Sequence, residues 1–86
     1  MRLDKFLKVS RVIKRRTIAK EVCDQGYVTI NERPAKAGAE VKPEDILEIR
    51  LGSRVLRIMV ISTPGVVKVQ DAPQIFKVIE DSADQT

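Results

Sequence analysis

The sequence predicts an α+β fold: an N-terminal helix pair packed on a small, mostly antiparallel sheet, with a short β-rich extension towards the C-terminal end. Two features of the pattern carry this expectation. Apolar residues recur at helical spacing as far as residue 25, and from Tyr27 onward they alternate with polar ones. Gly26 stands at the switch, where a helix stop favours a residue free to take positive φ.

Arg2 to Ile13 reads as the first helix. On a helical wheel Leu3, Phe6, Leu7, Ser10 and Ile13 fall on one stripe, while Arg2, Lys5, Lys8 and Arg11 spread over the rest with Val9 and Val12. Lys14 to Arg16 break the pattern as a short basic connection. Thr17 is the expected N-cap of a second helix, Ile18 to Gln25, whose Ile18, Ala19, Val22 and Cys23 share a face. The result is a helix-turn-helix-like hairpin.

The strands follow in order. Tyr27 to Asn31 alternates, with Val28 and Ile30 turned inward, and Asn31-Glu-Arg-Pro34 makes a turn into a short extended stretch ending at Lys36. Lys42-Pro-Glu-Asp45 is a second turn, before a strand from Ile46 to Leu51. Gly52-Ser53 separates that strand from Val55 to Ile61, so the two form a hairpin. Thr63-Pro-Gly65 turns into Val66 to Val69, and Ile75 to Ile79 alternates weakly enough to leave strand and short helix both open. From Asp81 onward the chain reads as a frayed acidic tail. Residues 1–62 are expected to form the domain with its sheet, and 63–86 a short extension that is not a separate domain.

Composition narrows the chemistry. The 86 residues suffice for one domain, and with only Phe6, Tyr27 and Phe76 aromatic the core must come from Val, Ile and Leu. The same scarcity leaves little for a platform that stacks single-stranded bases. The single cysteine, Cys23, and the absence of histidine exclude an internal disulfide and a Cys/His metal cluster. Nothing approaches the ~20 apolar residues of a membrane span, and no signal peptide is evident, so a cytoplasmic protein without a membrane partner is expected. Catalysis is not expected either. General acid–base work at neutral pH usually needs histidine or carboxylates in contrasting environments, whereas Glu44-Asp45 lies in a turn and Asp81 and Asp84 in a tail. Cys23 reads as a small core residue, and the dispersed glycines Gly26, Gly38, Gly52 and Gly65 form no phosphate loop. No cofactor and no metal are implied.

Charge points to a partner. Residues 1–20 carry Arg2, Lys5, Lys8, Arg11, Lys14, Arg15, Arg16 and Lys20 against Asp4 alone, a net +7, while the remainder is −3. Such a one-ended field suits a polyanion. A helix-turn-helix that reads bases presents Asn, Gln or Arg on its second helix; here that helix offers Lys20, Glu21, Asp24 and Gln25. The basic groups lie on the first helix and the turn, which suits folded RNA recognised by shape and phosphate. Arg15 and Arg16 precede the second helix, where guanidinium groups and helix amides could meet one phosphate. Asp4 fits a first-turn acid favoured by the helix dipole and equally an orienter for a nearby arginine.

Three strings, Arg2-Leu-Asp-Lys-Phe-Leu7, Lys14-Arg-Arg-Thr-Ile-Ala19 and Gly26-Tyr-Val-Thr-Ile-Asn31, resemble the RNA-binding domain named after small-subunit ribosomal protein S-four, the αL motif, over Met1 to about Ile49. Within that superfamily the length and the Lys8 to Arg16 stretch are most similar to the RqcP family of ribosome-associated quality-control factors. The resemblance implies the αL RNA-binding fold and RNA contacts by Arg2, Lys5, Lys8, Arg11, Arg16 and Thr17, with Lys14, Arg15 and Lys20 beside them. It assigns Leu3, Leu7, Ala19 and Val28 to packing and Gly26 to the helix stop. It implies a monomeric factor on the large ribosomal subunit holding stalled peptidyl-tRNA. There it would contact ribosomal RNA and tRNA and support C-terminal tailing by a partner factor. The chain departs from the family pattern at Arg15, where many relatives have Ser, and at Glu32 and Glu44, where glycine is usual. Two other readings are a heat-shock-type large-subunit recycling protein, which carries a longer basic C-terminal extension, and a basic protein-interaction module.

Overall fold

Two short helices pack on one face of a five-stranded antiparallel sheet of order β2-β1-β3-β4-β5 in the computed structural model, which describes residues 1–63 and 75–83. The helices are α1 (Leu3–Val9) and α2 (Arg16–Asp24); the strands are β1 (Val28–Ile30), β2 (Arg33–Pro34), β3 (Ile46–Leu51), β4 (Arg54–Val60) and β5 (Phe76–Ala83). Alternation places Val28, Leu47, Ile49, Leu56, Ile58 and Val60 on the inner face, all buried. They meet Leu3, Phe6 and Leu7 of α1 and Ala19 and Cys23 of α2 in one apolar cluster. Burying such side chains contributes roughly 1.5–3 kcal/mol each, which is what holds helices too short to persist alone.

The first helix stops earlier than its apolar stripe suggests. It ends at Val9, because Ser10 is buried with its hydroxyl donating to the Leu7 carbonyl at 3.3 Å, and Arg11 turns to φ 66°. A hydroxyl bonded back to the preceding turn competes with helix continuation. Ile13 is buried all the same, carried inward by the turn rather than by helix, with its amide on the Leu7 carbonyl at 3.0 Å.

The second helix begins earlier than expected. Arg15 is its N-cap, with extended backbone and no side-chain cap bond, and Arg16 is the first helical residue. Thr17 therefore lies inside the helix and does not cap it, and Arg16 is part of the helix rather than ahead of it. Gly26 ends the helix region at φ 85°, its amide on the Cys23 carbonyl.

The hairpin of β3 and β4 pairs Ile46 with Met59 through Leu51 with Arg54. The segment left open between strand and helix is strand: β5 pairs with β4 from Arg54–Ala83 to Val60–Phe76, with an irregularity between Arg57 and Ile58. The expected frayed tail is corrected as far as Ala83, since Asp81 sits within β5 and accepts from Arg54 Nε at 2.8 Å. The strand expected at Val66 to Val69, and Asp84, lie outside the described residues. At the two turns lacking the family's glycines, Glu32 and Glu44 nonetheless hold φ of 71° and 77°. Among the described residues no helix is long and apolar enough to cross a membrane.

Candidate nucleic-acid interface

The site is built on the start of α1. The amides of Leu3 and Asp4, orphaned by helix geometry, donate to the carbonyls of Ala39 at 2.8 Å and Ala37 at 3.1 Å. The loop after β2 thus fastens α1 from below and leaves its charged side facing out. The same loop holds the far end of α2, where Lys36 Nζ donates to the Asp24 carbonyl at 2.9 Å and the Ala37 amide to Asp24 Oδ1 at 3.4 Å. Asp24 and Lys36 are therefore structural partners of one another.

Asp4 organises the face. It is 2% exposed, yet it accepts from Arg2 Nε at 3.2 Å, the Lys5 amide at 2.8 Å and Arg16 Nε at 3.4 Å. Burial opposes its ionised form, but the Arg2 bond, the Lys5 amide and the Arg16 charge outweigh it and hold the carboxyl below its ordinary value. Both arginines engage it through Nε, and their side chains remain about half exposed, at 54% and 51%. The outer guanidinium nitrogens make no hydrogen bond to the carboxylate they share. Asp4 is thus an orienter of two arginines, one from each side of the helix pair. The sequence marked it as the lone acid in a basic run but could not measure the approach of Arg16, which depends on the path of the intervening turn.

Of the nine residues assigned to RNA, Arg2, Lys8, Arg11, Lys14, Arg15, Arg16, Thr17 and Lys20 are exposed, and Lys5 is partly buried. Five of them form two groups, the Asp4-held pair Arg2 and Arg16 and the turn that displays Arg11, Lys14 and Arg15, while Lys5 and Lys8 lie on α1 and Thr17 and Lys20 on α2. The amides of Arg16, Thr17 and Ile18 open α2 and have no acceptor among the described residues, so their partial positive charge adds to the same face. Cys23 is fully buried, and burial, then Asp4 and Asp24, push its thiol up to about 11. Among the described residues no acidic, cysteine or histidine group could hold a metal ion.

The S4 domain model matches residues 1–47, the segment that contains both helices, Asp4 and all nine assigned residues. The RQC P-site tRNA stabilizing factor of Bacillus subtilis is 47% identical over 81 residues, covering 94% of each chain. That of Halalkalibacterium halodurans is 50% identical, covering 91% of this chain and 89% of its own. The chain belongs to the S4-domain family of RQC P-site tRNA stabilizing factors. Among solved structures the fold is similar to trimeric Heat Shock Protein 15 of Vibrio cholerae, with a TM-score of 0.83 at 25% identity over 91% of this chain and 80% of that one. It is also similar to a hypothetical protein, HP1423, with a TM-score of 0.79 at 29% identity over 93% and 98%. In this member of the stabilizing-factor family the helix pair offers oriented guanidinium groups, exposed lysines and open helix amides. Guanidinium groups and open amides of this kind are the donors that suit phosphate oxygens.

Proposed function

We propose that the protein binds the large ribosomal subunit carrying stalled peptidyl-tRNA and contacts ribosomal RNA and tRNA through Arg2, Lys5, Lys8, Arg11, Lys14, Arg15, Arg16, Thr17 and Lys20. In that position it supports C-terminal tailing of the stalled chain by a partner factor. It acts in the cytoplasm as a monomer, by binding alone, without metal or cofactor. The observation that carries this reading is the buried Asp4 carboxylate with an arginine on either side, both half exposed. A carboxylate inside a phosphate-binding face would repel its ligand unless its charge were spent internally. Here it fixes two guanidinium groups in place before the RNA arrives, which lowers the ordering cost of binding.

Large-subunit co-sedimentation tests the proposal. Arg16→Ala should weaken binding about tenfold or more, since directed bonds to a charged group are lost. Arg16→Lys keeps the charge but not the fork, and should recover only part of the affinity. Lys77→Ala makes the same charge change on exposed β5 and should bind like the parent. Equal loss in Lys77→Ala would move the site off the helix pair. Binding that survives nuclease treatment would make the basic face a protein-docking surface instead.

A further inference from the structure

Four residues other than glycine hold positive φ among the described residues: Arg11 at 66°, Asn31 at 51°, Glu32 at 71° and Glu44 at 77°. Asn visits this region readily; long side chains do not. Arg11 takes it at the residue following the helix C-cap Ser10, a place where glycine prevails. Its amide donates to the Lys8 carbonyl at 3.1 Å, and the Ile13 amide reaches back to Leu7 at 3.0 Å. Buried Ser10 and Ile13 on either side fix the turn, and would fix it equally around a glycine.

The Arg11 side chain does nothing for that geometry. It is exposed and makes no hydrogen bond or ion pair among the described residues, unlike Arg2 and Arg16 on Asp4. Folding therefore favours glycine at position 11. What arginine adds is a cation on a locked backbone, in a turn that also exposes Lys14 and Arg15. Strain alone marks no site, as Glu32 and Glu44 show; here it coincides with the strongest charge field of the molecule. Backbone strain retained where a side chain serves a ligand is a recurring pattern at binding sites.

We infer that Arg11 is a phosphate-binding residue held in a glycine's backbone conformation, so that fold stability and RNA affinity are opposed at this one position. The inference rests on RNA binding by the helix pair as proposed above. Within that reading it sets Arg11 apart from the Asp4-held pair, because no carboxylate orients Arg11 and the turn backbone does so instead.

The test measures melting temperature and binding to purified bacterial large ribosomal subunits for five proteins: the parent, Arg11→Gly, Arg11→Ala, Arg11→Lys and Glu44→Gly. Arg11→Gly should melt roughly 2–5 °C higher, by relief of the left-handed strain, yet bind about tenfold more weakly. Arg11→Ala should lose the same affinity without the gain in melting temperature, and Arg11→Lys should retain part of the binding. Glu44→Gly relieves the same backbone conformation away from the basic turn, so it should melt higher and bind like the parent. Parent-like binding by Arg11→Gly overturns the inference. So does a lower melting temperature in that variant, which would show that the side chain supports the fold. A parent that fails to bind the subunits overturns the RNA reading itself, and this inference with it.

Discussion

At Asp4 a single carboxylate does work that its neighbours in sequence do not reveal. The charge pattern made the residue conspicuous but fitted a helix-dipole acid equally well, and only the 3.4 Å approach of Arg16, twelve residues later, distinguishes the two roles. The eight cations were legible because charge needs no geometry to be counted, whereas the orientation of two of them is a tertiary property. A pH dependence follows. The folded-state pKa of Asp4 is depressed, against burial, by Arg2, the Lys5 amide and Arg16. Its contribution is therefore fully present above the unfolded carboxyl value of about 3.9 and is lost as pH falls through the lower folded value. Asp4→Asn should cost about 1–2 kcal/mol near neutrality and flatten the acid limb of the stability profile, as measured by denaturant unfolding between about pH 7 and pH 2. Asp81, lowered by the exposed Arg54 pair, lies at the surface, and Asp81→Asn should change the same limb much less. An acid limb unchanged in Asp4→Asn would show that the arginines do not depend on this carboxylate.

Secondary-structure elements followed the sequence closely where period and punctuation agreed. The change from helical to alternating spacing fell at Gly26, and β3 occupies Ile46–Leu51 as the alternation after Asp45 indicated. Boundaries failed where side chains overrode pattern: Ser10 turned α1 back before its stripe ended, and α2 began at Arg16 without the Thr17 cap. The final strand was ambiguous because Val78 and Ile79 are exposed and lie beside the irregularity in the β4–β5 pairing, so alternation is interrupted there. Gly26 allows an element-scale prediction. A Cβ placed there would meet nothing within 4 Å, so the cost of replacing it is conformational and comes from φ 85°. Gly26→Ala should lose about 1 kcal/mol, and Gly26→Val more, roughly 1–2 kcal/mol or above, because branching at Cβ tolerates that region poorly. Thermal melting checks both. A Gly26→Val protein that melts like the parent would place the helix-to-strand junction elsewhere.

Charge divides unevenly along the chain, with +7 in the first twenty residues and −3 in the rest. If Arg2, Lys5, Lys8, Arg11, Arg16 and Lys20 each neutralise about one phosphate, the log–log dependence of affinity on salt should have a slope of about −4 to −5. Binding isotherms over a range of salt concentrations measure it, and a slope near zero would remove the electrostatic basis of recognition. The basic surface also has a history within the folding of the chain. α1 has seven residues, too few to hold a helix in water, and its first amides are satisfied only by carbonyls at Ala37 and Ala39. The geometry of the basic surface therefore depends on a contact between residues more than thirty positions apart in the chain, Leu3 with Ala39 and Asp4 with Ala37.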